Sequence, residues 1–114
     1  MSDCIFCKIA AGEIPCKKVY EDGGVLAFHD IKPQAPVHIL VIPKAHAAEG
    51  AGEITPANSA VVGRCYEVIA GLAKDLDLAG GFRVVTNNGP AAGQTVPHLH
   101  FHLLAGKELS LAMG

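Results

Sequence analysis

Apolar residues cluster over four short stretches of the chain, and this pattern predicts β-strands. The stretches are rich in Val, Ile, Leu and Phe, and they cover residues 19–30, 36–42, 82–86 and 98–104. Asp22-Gly23-Gly24 interrupts the first stretch, as turn residues do between paired strands. The sequence therefore predicts about five strands.

A second period, of three and four residues, predicts one long helix. Thr55 followed by Pro56 is a typical helix start, because a hydroxyl can cap the first turn and proline fits the first helical position. Gly80-Gly81 is a stop signal, so we expect a helix over about residues 56–77. Its apolar stripe consists of Val61, Cys65, Val68, Leu72 and Leu76. We expect this stripe to face the core, and a dimer face is the alternative.

Strands in mostly adjacent order around one long helix predict an α+β domain with an antiparallel sheet. The 114 residues, half of them apolar, are enough for one core, and we expect residues 1–114 to form a single domain. The net charge of −2 and the scattered basic residues argue against binding to a nucleic-acid polymer. We find neither an export signal nor an apolar run near the ~18 residues of a membrane span, so we expect a soluble cytoplasmic protein.

Three of the six histidines, His98, His100 and His102, stand at alternate positions in the last apolar stretch. On a strand, all three would point to one face, with the outer two about 13 Å apart. A single ion or small substrate cannot contact them equally, so we expect the three rings to have different roles. Three readings are open: core or surface imidazoles, a shared metal ion, or nucleophilic attack on phosphorus by the middle ring.

The loop at residues 87–95 leads directly into the histidines. Its glycines let main-chain N–H groups approach an anion closely, and Gln94 and Thr95 add side-chain donors. A plain strand connection uses the same residue types. Its position beside the imidazole face favours a phosphate-binding loop.

The cysteine spacing indicates a metal site. In a chain without an export signal, four cysteines predict thiols or metal ligands rather than disulfides. Cys4 and Cys7 have the spacing at which two thiolates hold zinc, and His46 and His98 could complete four ligands. A pair of buried cysteines is the alternative reading.

Four blocks of the chain carry a further signal. They read DCIFCKI (residues 3–9) with GEIP (12–15), AFHDIKPQAP (27–36), HILVIPK (38–44), and GQTVP (93–97) leading into the histidines. In this order they resemble the histidine triad (HIT) superfamily, and most closely its Hint branch, from about residue 3 to residue 107. The resemblance implies a HIT-like fold, in which a sheet of about five antiparallel strands accompanies one long helix and a short N-terminal helix.

The resemblance also implies an enzyme that hydrolyses purine nucleoside phosphoramidates, such as adenosine monophosphate joined to an amine. It assigns the nucleophile to His100. His102 would bond the phosphoryl oxygens and assist departure of the leaving group, and His98 and His38 would have supporting roles. The implied nucleotide contacts are Phe6, Ile9, Phe28, His29, Asp30, Ile31, Asn87, Gly93, Gln94, Thr95, His100 and His102. A neutral imidazole is a competent nucleophile near pH 7, and a protonated neighbour would stabilise charge on the phosphoryl oxygens.

The partners implied by the resemblance are purine nucleoside monophosphates, their amine or acyl conjugates, and a second copy of the chain. It implies structural Zn²⁺ at Cys4, Cys7, His46 and His98, with no cofactor needed for the chemistry. Close relatives continue past the triad into a tryptophan-bearing tail, whereas this chain has no Trp and ends LSLAMG at residues 109–114. Dinucleoside polyphosphate hydrolysis, a nucleotide-sensing interaction module and a zinc-dependent hydrolase are the alternative functions.

Overall fold

A computed structural model describes residues 3–112, so the outermost two residues at each end of the predicted domain, including the end of its tail, lie outside the described residues. The elements in chain order are α1 (Ile5–Ala10), β1 (Lys18–Glu21), β2 (Val25–His29), β3 (Val37–Pro43), α2 (Ala60–Asp75), β4 (Arg83–Val85) and β5 (Phe101–Ala105). Short 3-10 turns lie at Ala51–Glu53 and Pro90–Ala92. Within the described residues, no helix is both long and apolar enough to cross a membrane.

The five strands of residues 3–112 form one antiparallel sheet in the order β1-β2-β3-β5-β4. The first three strands follow one another directly. The chain then passes through α2 to the far edge, and β5 returns between β3 and β4. The predicted α+β class, with five antiparallel strands, one long helix and a short N-terminal helix, is confirmed.

Side-chain alternation along the strands divides the apolar core into two layers. One layer packs α2 against the sheet and contains Val25, Ala27, Ile39, Val41, Leu99, Phe101 and Leu103 with Cys65, Val68, Ile69 and Leu72. The other packs α1 against the opposite face and contains Phe6, Ile9, Leu26, Phe28, Leu40 and Ile42. Because Leu99, Phe101 and Leu103 face α2, the histidines that alternate with them are directed to the α1 side.

Helix α2 begins at Ala60, four residues later than the predicted start at Pro56. In the intervening turns, the N–H groups of Asn58 and Ser59 donate to the main-chain oxygen of Thr55. The side-chain oxygen of Asn58 accepts from the Thr55 N–H, and its amide donates to two main-chain carbonyls of the preceding loop. These bonds compete with helical continuation. The predicted helix start was therefore wrong: the Thr55 hydroxyl accepts from the Ala57 N–H at 3.1 Å, but it caps these turns, and Ser59 occupies the N-cap of α2 without a side-chain bond.

The last two strands are shorter than predicted. β5 begins at Phe101, so His98 and His100 lie in the segment that leads into it. The reason is that the Leu99 N–H donates outside the ladder, to the main-chain oxygen of Ala48 at 2.9 Å. β4 covers only Arg83–Val85, and the Thr86 hydroxyl beyond it donates to the main-chain oxygen of His100 at 2.7 Å. The predicted alternation of apolar residues with histidines nevertheless holds, because Leu99, Phe101 and Leu103 all pack in the core layer beneath α2.

The apolar stripe of α2 faces the core over most of its length. Cys65, Val68 and Leu72 are buried, as predicted, and Val61 is partly buried. The prediction was wrong for Leu76, which follows the last helical residue and is 42% exposed.

Truncation of two leucines one helical turn apart tests where the buried part of the α2 stripe ends. Leu72→Ala is expected to lower the free energy of unfolding by about 2–4 kcal/mol, because Leu72 is only 4% exposed and its loss leaves a cavity. The matched control Leu76→Ala is expected to cost less than about 1 kcal/mol. Urea unfolding measures both values, and equal losses would show that Leu76 is covered in solution.

Candidate active site

The pairing of β3 with β5 brings His38 and His102 together. Leu40 lies opposite His102, and His38 lies opposite Leu104, so the two histidines are diagonal neighbours on one face. Nε2 of His38 lies 2.9 Å from Nδ1 of His102. The carboxylate of Asp30, just after β2, places Oδ2 3.5 Å from the same Nε2 atom.

A main-chain hydrogen bond determines which nitrogen of His38 carries the proton. The Gln34 N–H donates to Nδ1 of His38 at 2.9 Å, so Nδ1 carries the lone pair and the neutral ring has its proton on Nε2. That proton is donated to Nδ1 of His102. The proton of His102 is therefore on its own Nε2, and this ring offers an N–H on the side away from His38.

His100 has the opposite arrangement. Its Nδ1 lies 2.7 Å from the main-chain oxygen of His98, which can only accept, so Nδ1 is protonated and Nε2 carries the lone pair. The residue is buried, and its ring meets those of Phe6 and His102 edge-on at centroid distances of 5.0 and 5.1 Å. A neutral imidazole held with its lone pair at Nε2 has the form that nucleophilic attack requires.

Burial keeps these rings uncharged near neutral pH. Desolvation, assisted by the neighbouring His100 and His38 rings and opposed by Asp30, lowers the pKa of His102 to about 4. Desolvation also lowers the pKa of His38 and that of His100. His102 is therefore a neutral hydrogen-bond donor, and the protonated neighbour expected from the sequence is not what this structure shows.

A cavity of about 1170 Å³ lies on the α1 side of the sheet and reaches His38. Its wall includes the predicted nucleotide contacts Phe6, Ile9, Phe28, His29, Asp30, Ile31 and Thr95. It also includes Ile14, Pro15, Cys16, Leu40 and Val96, which the sequence analysis did not select. Among these five, only Leu40 had a signal in the sequence, because it stands two residues from His38 and so shares its face of the strand. The volume is above the ~300–1,000 Å³ of common small-molecule sites, so the cavity is large enough for a ligand of that class.

The loop at residues 87–95 uses its polar side chains to hold its own shape. The side-chain amide of Asn87 donates to a main-chain carbonyl of the loop at 2.9 Å. The side-chain oxygen of Gln94 accepts from the Gly89 N–H at 2.7 Å, and its side-chain amide donates to two main-chain oxygens outside the loop. Gly93 adopts φ 89°, the left-handed conformation that glycine favours. Neither Asn87, Gly93 nor Gln94 lines the large cavity, and their contact with phosphate stays a prediction.

Four predicted metal ligands gather beside α1. The ligand atoms of Cys4, Cys7, His46 and His98 all lie within 4.8 Å of one another, and Cys4 Sγ is 3.3 Å from His98 Nδ1. Nε2 of His98 donates to the main-chain oxygen of Pro43 at 2.8 Å, which leaves the lone pair of Nδ1 facing the thiols. Tetrahedral zinc with bonds of ~2.0–2.3 Å separates its ligands by about 3.3–3.8 Å. This donor set could hold a metal ion.

A second group of close ligand atoms, in Asp30, His38 and His102, has a different chemical character. Here Nε2 of His38 is protonated and donates to His102, because the Gln34 N–H occupies its Nδ1 atom. A metal ligand must offer a lone pair, and Nε2 of His38 carries a proton instead. This group is therefore arranged to hold a proton. Of the four predicted catalytic rings, only that of His38 is among the residues that line the cavity. His102 contacts the His38 ring, His100 contacts the His102 ring, and the ring of His98 faces the cysteines.

The α+β domain presents imidazoles that carry their protons on different nitrogens, and these rings come from β3, from β5 and from the segment that leads into β5. This arrangement defines the histidine triad class of proteins. The HIT domain family model matches residues 11–109. The chain belongs to this family, as the sequence predicted.

Relatives and solved structures match nearly the whole chain. A HIT-like protein of Synechococcus elongatus is 49% identical over 112 residues, which are 98% of this chain and 97% of that protein. The HIT family hydrolase from Clostridium thermocellum has a TM-score of 0.94 at 43% identity and covers 99% of this chain and 98% of its own. For the histidine triad nucleotide-binding protein from Candida albicans, the TM-score is 0.85 at 36% identity, with coverages of 98% and 83%.

The buried histidines should make the fold sensitive to acid. An unfolded imidazole titrates near pH 6.5 and folded His102 near pH 4, so between these values the unfolded state binds more protons and the free energy of unfolding decreases as the pH is lowered. The lowered pKa values of His38 and His100 act in the same direction. Urea unfolding from pH 7 to pH 4.5 measures the slope, which His102→Gln should reduce. An unchanged slope in this variant would contradict the assignment.

Proposed function

We propose that this protein is a nucleotide hydrolase that cleaves purine nucleoside 5′-phosphoramidates through a covalent nucleotidyl-His100 intermediate. The observation that carries the proposal is the pair of complementary tautomers, with a lone pair on Nε2 of His100 and a proton on Nε2 of His102. The rings are in edge contact, so a nucleophile and a proton donor can act on one phosphorus centre. The hydrolase and nucleotide-binding descriptions of the two similar structures support the same class.

In the first step, the Nε2 lone pair of His100 forms a bond to the α-phosphorus while the phosphorus–nitrogen bond of the substrate breaks. The departing nitrogen takes that bond's electron pair and a proton from solvent, while the Nε2–H of His102 donates a hydrogen bond to it, and it leaves as an amine. The nucleotidyl-His100 ring is then positively charged, and its Nδ1–H donates to the main-chain oxygen of His98. This bond stabilises the positive ring.

In the second step, water attacks the phosphorus and releases one proton to solvent. The bond between phosphorus and His100 breaks, and its electron pair returns to Nε2 of His100. The nucleoside monophosphate leaves, and both rings have their starting tautomers. No protein atom is consumed, and the two histidines are ready for another substrate.

The cavity supports the assignment of the nucleoside end of the substrate. Phe6, Ile9 and Phe28 form apolar walls that suit a purine base, and Ile31 at the rim is 93% exposed. Asp30 offers a carboxylate to the ribose hydroxyls, with Oδ1 already accepting from the Lys32 N–H at 2.7 Å. A base in the apolar slot and a ribose at Asp30 would direct the phosphate toward the imidazoles.

We also propose that the active form is a homodimer. Tyr66 on α2 and Phe82 next to the edge strand β4 are 47% and 43% exposed. Large exposed apolar side chains beside an unpaired sheet edge are typical of a protein interface. A second copy of the chain would cover both.

Zn²⁺ at Cys4, Cys7, His46 and His98 would have a structural role. Four protein ligands close a tetrahedral site, so the ion would fasten α1 to the segment before β5 and leave no position for substrate. His98 joins this cluster to the nucleophile, because its ring belongs to the cluster and its main-chain oxygen accepts from His100. The chemistry is left to the chain's own residues.

Replacement of the nucleophile is the central test. His100→Ala should retain the folded spectrum and nucleotide binding but lose at least about 10³-fold in kcat on adenosine 5′-phosphoramidate, because no other group can form the intermediate. Release of amine measures turnover, and wild type quenched in alkali should carry a nucleotidyl group on the peptide containing His100. Undiminished turnover in the variant would reject the proposal.

Comparison of substrates separates the alternatives. Faster cleavage of diadenosine polyphosphates than of phosphoramidates would identify a dinucleoside polyphosphate hydrolase. Tight binding of nucleotide with negligible turnover would identify a sensing module. Loss of turnover on chelation, with the fold intact, would point to a zinc-dependent hydrolase.

Metal content tests the structural zinc. Wild-type protein should carry about one Zn²⁺ per chain, and the double variant Cys4→Ser, Cys7→Ser should lose it and unfold at a lower temperature, because binding and folding are coupled. The matched control Cys16→Ser changes a thiol outside the cluster and should keep the metal. Turnover of the double variant should fall less than that of His100→Ala. Unchanged zinc content would exclude this ligand set.

A further inference from the structure

We infer that the main-chain N–H of Gln34 is a positioning group for the reaction, because its bond to His38 holds the proton of His102 on the nitrogen that faces the departing amine. The inference rests on the proposed function and concerns a group that never touches substrate. It acts through two rings in series. The chain of donors runs from the Gln34 N–H to Nδ1 of His38, then from Nε2 of His38 to Nδ1 of His102.

The hydrogen bond between His38 and His102 could run in either direction if the two rings were isolated. A proton on Nδ1 of His38 would make its Nε2 the acceptor, and Nδ1 of His102 would then be the donor. Nε2 of His102 would carry a lone pair, which repels phosphoryl oxygens and cannot donate to the departing nitrogen. One main-chain N–H on Nδ1 of His38 removes this second arrangement.

The Asp30 carboxylate favours the same direction. Its Oδ2 atom lies 3.5 Å from Nε2 of His38, so negative charge stands beside the atom that must carry the proton. The reverse arrangement would place a lone pair against that carboxylate. Asp30 and Gln34 thus act on opposite nitrogens of His38 with the same result.

The loop that carries the Gln34 N–H is held in place before substrate arrives. Asp30 accepts from the Lys32 N–H, and the Gln34 side chain donates to the Lys32 main-chain oxygen at 3.1 Å. The Asp30 N–H donates to the main-chain oxygen of His38 at 3.0 Å, which closes the loop at the start of β3. Prolines at positions 33 and 36 restrict the backbone further. Little ordering is left to occur during the reaction.

The tautomers can be measured directly in the wild-type protein. Long-range proton–nitrogen correlation NMR on ¹⁵N-histidine-labelled protein at pH 7 distinguishes protonated from unprotonated ring nitrogens. We expect unprotonated Nδ1 and protonated Nε2 in both His38 and His102. A protonated Nδ1 in His38 would overturn the inference without any variant.

Two substitutions at one position separate the N–H from the side chain. Gln34→Pro removes the N–H, and the matched control Gln34→Ala keeps it while removing the side-chain bond to Lys32. With Gln34→Pro we expect mixed tautomers at His38 and His102 and a kcat on an alkylamine phosphoramidate reduced about twofold to tenfold, the value of one neutral hydrogen bond. With Gln34→Ala we expect wild-type tautomers and a kcat reduced less than by Gln34→Pro, because the N–H and the other bonds that hold the loop remain.

A leaving group that needs no proton distinguishes positioning from general damage. Turnover of adenosine 5′-phosphorofluoridate, which releases fluoride, should be reduced less by Gln34→Pro than turnover of the alkylamine phosphoramidate, because fluoride leaves without a proton and only the contact with the phosphoryl oxygens is disturbed. Equal losses on both substrates, or wild-type tautomers in a folded Gln34→Pro protein, would overturn the inference. If Gln34→Pro does not fold, the wild-type spectrum decides. If wild type cleaves no phosphoramidate, the proposed function fails, while the spectrum still reports the direction of the bond.

Discussion

The antiparallel pairing of β3 with β5 is the constraint on which the rest of this molecule depends. Its register sets Leu40 opposite His102 and thereby makes His38 and His102 diagonal neighbours. The same register sends Phe101 and Leu103 into the core beneath α2. Packing and chemistry are therefore decided together, because a slip by one residue would exchange the apolar face for the imidazole face.

Main-chain groups then give three similar side chains different chemical characters. A carbonyl at Pro43 leaves the His98 lone pair facing two thiols, and a carbonyl at His98 leaves the His100 lone pair on Nε2. An amide at Gln34 has the opposite effect through His38 and gives His102 a proton at Nε2. Backbone partners are rigid and cannot change their own protonation, so each ring keeps its role. The imidazoles carry their protons on different nitrogens because their backbone partners differ.

Much of this arrangement could be predicted from the sequence, since it depends on local periodicity and spacing. Alternation at residues 98–104 placed three imidazoles on one side, and the spacing of Cys4 and Cys7 identified half of the metal cluster. The start of α2 could not be predicted, because Asn58 bonds to carbonyls in a separate loop. The tautomers were equally inaccessible, since the partner of His38 Nδ1 is a main-chain amide that no side-chain pattern reveals. The sequence predicted which residues meet and not which atoms donate.

The segment from His98 to His102 is attached at both ends, by the cysteine cluster on one side and by the β5 ladder on the other. Insertion or deletion of a single residue within it would turn the following imidazoles toward α2 and the apolar side chains toward the cavity. Neither end could move to compensate. The loop at residues 87–95, in contrast, precedes the alternating segment, so a change in its length would break its own hydrogen bonds without exchanging the faces of the imidazoles. Evolution can therefore vary the approach to this site by insertion and deletion, but its reactive segment only by substitution.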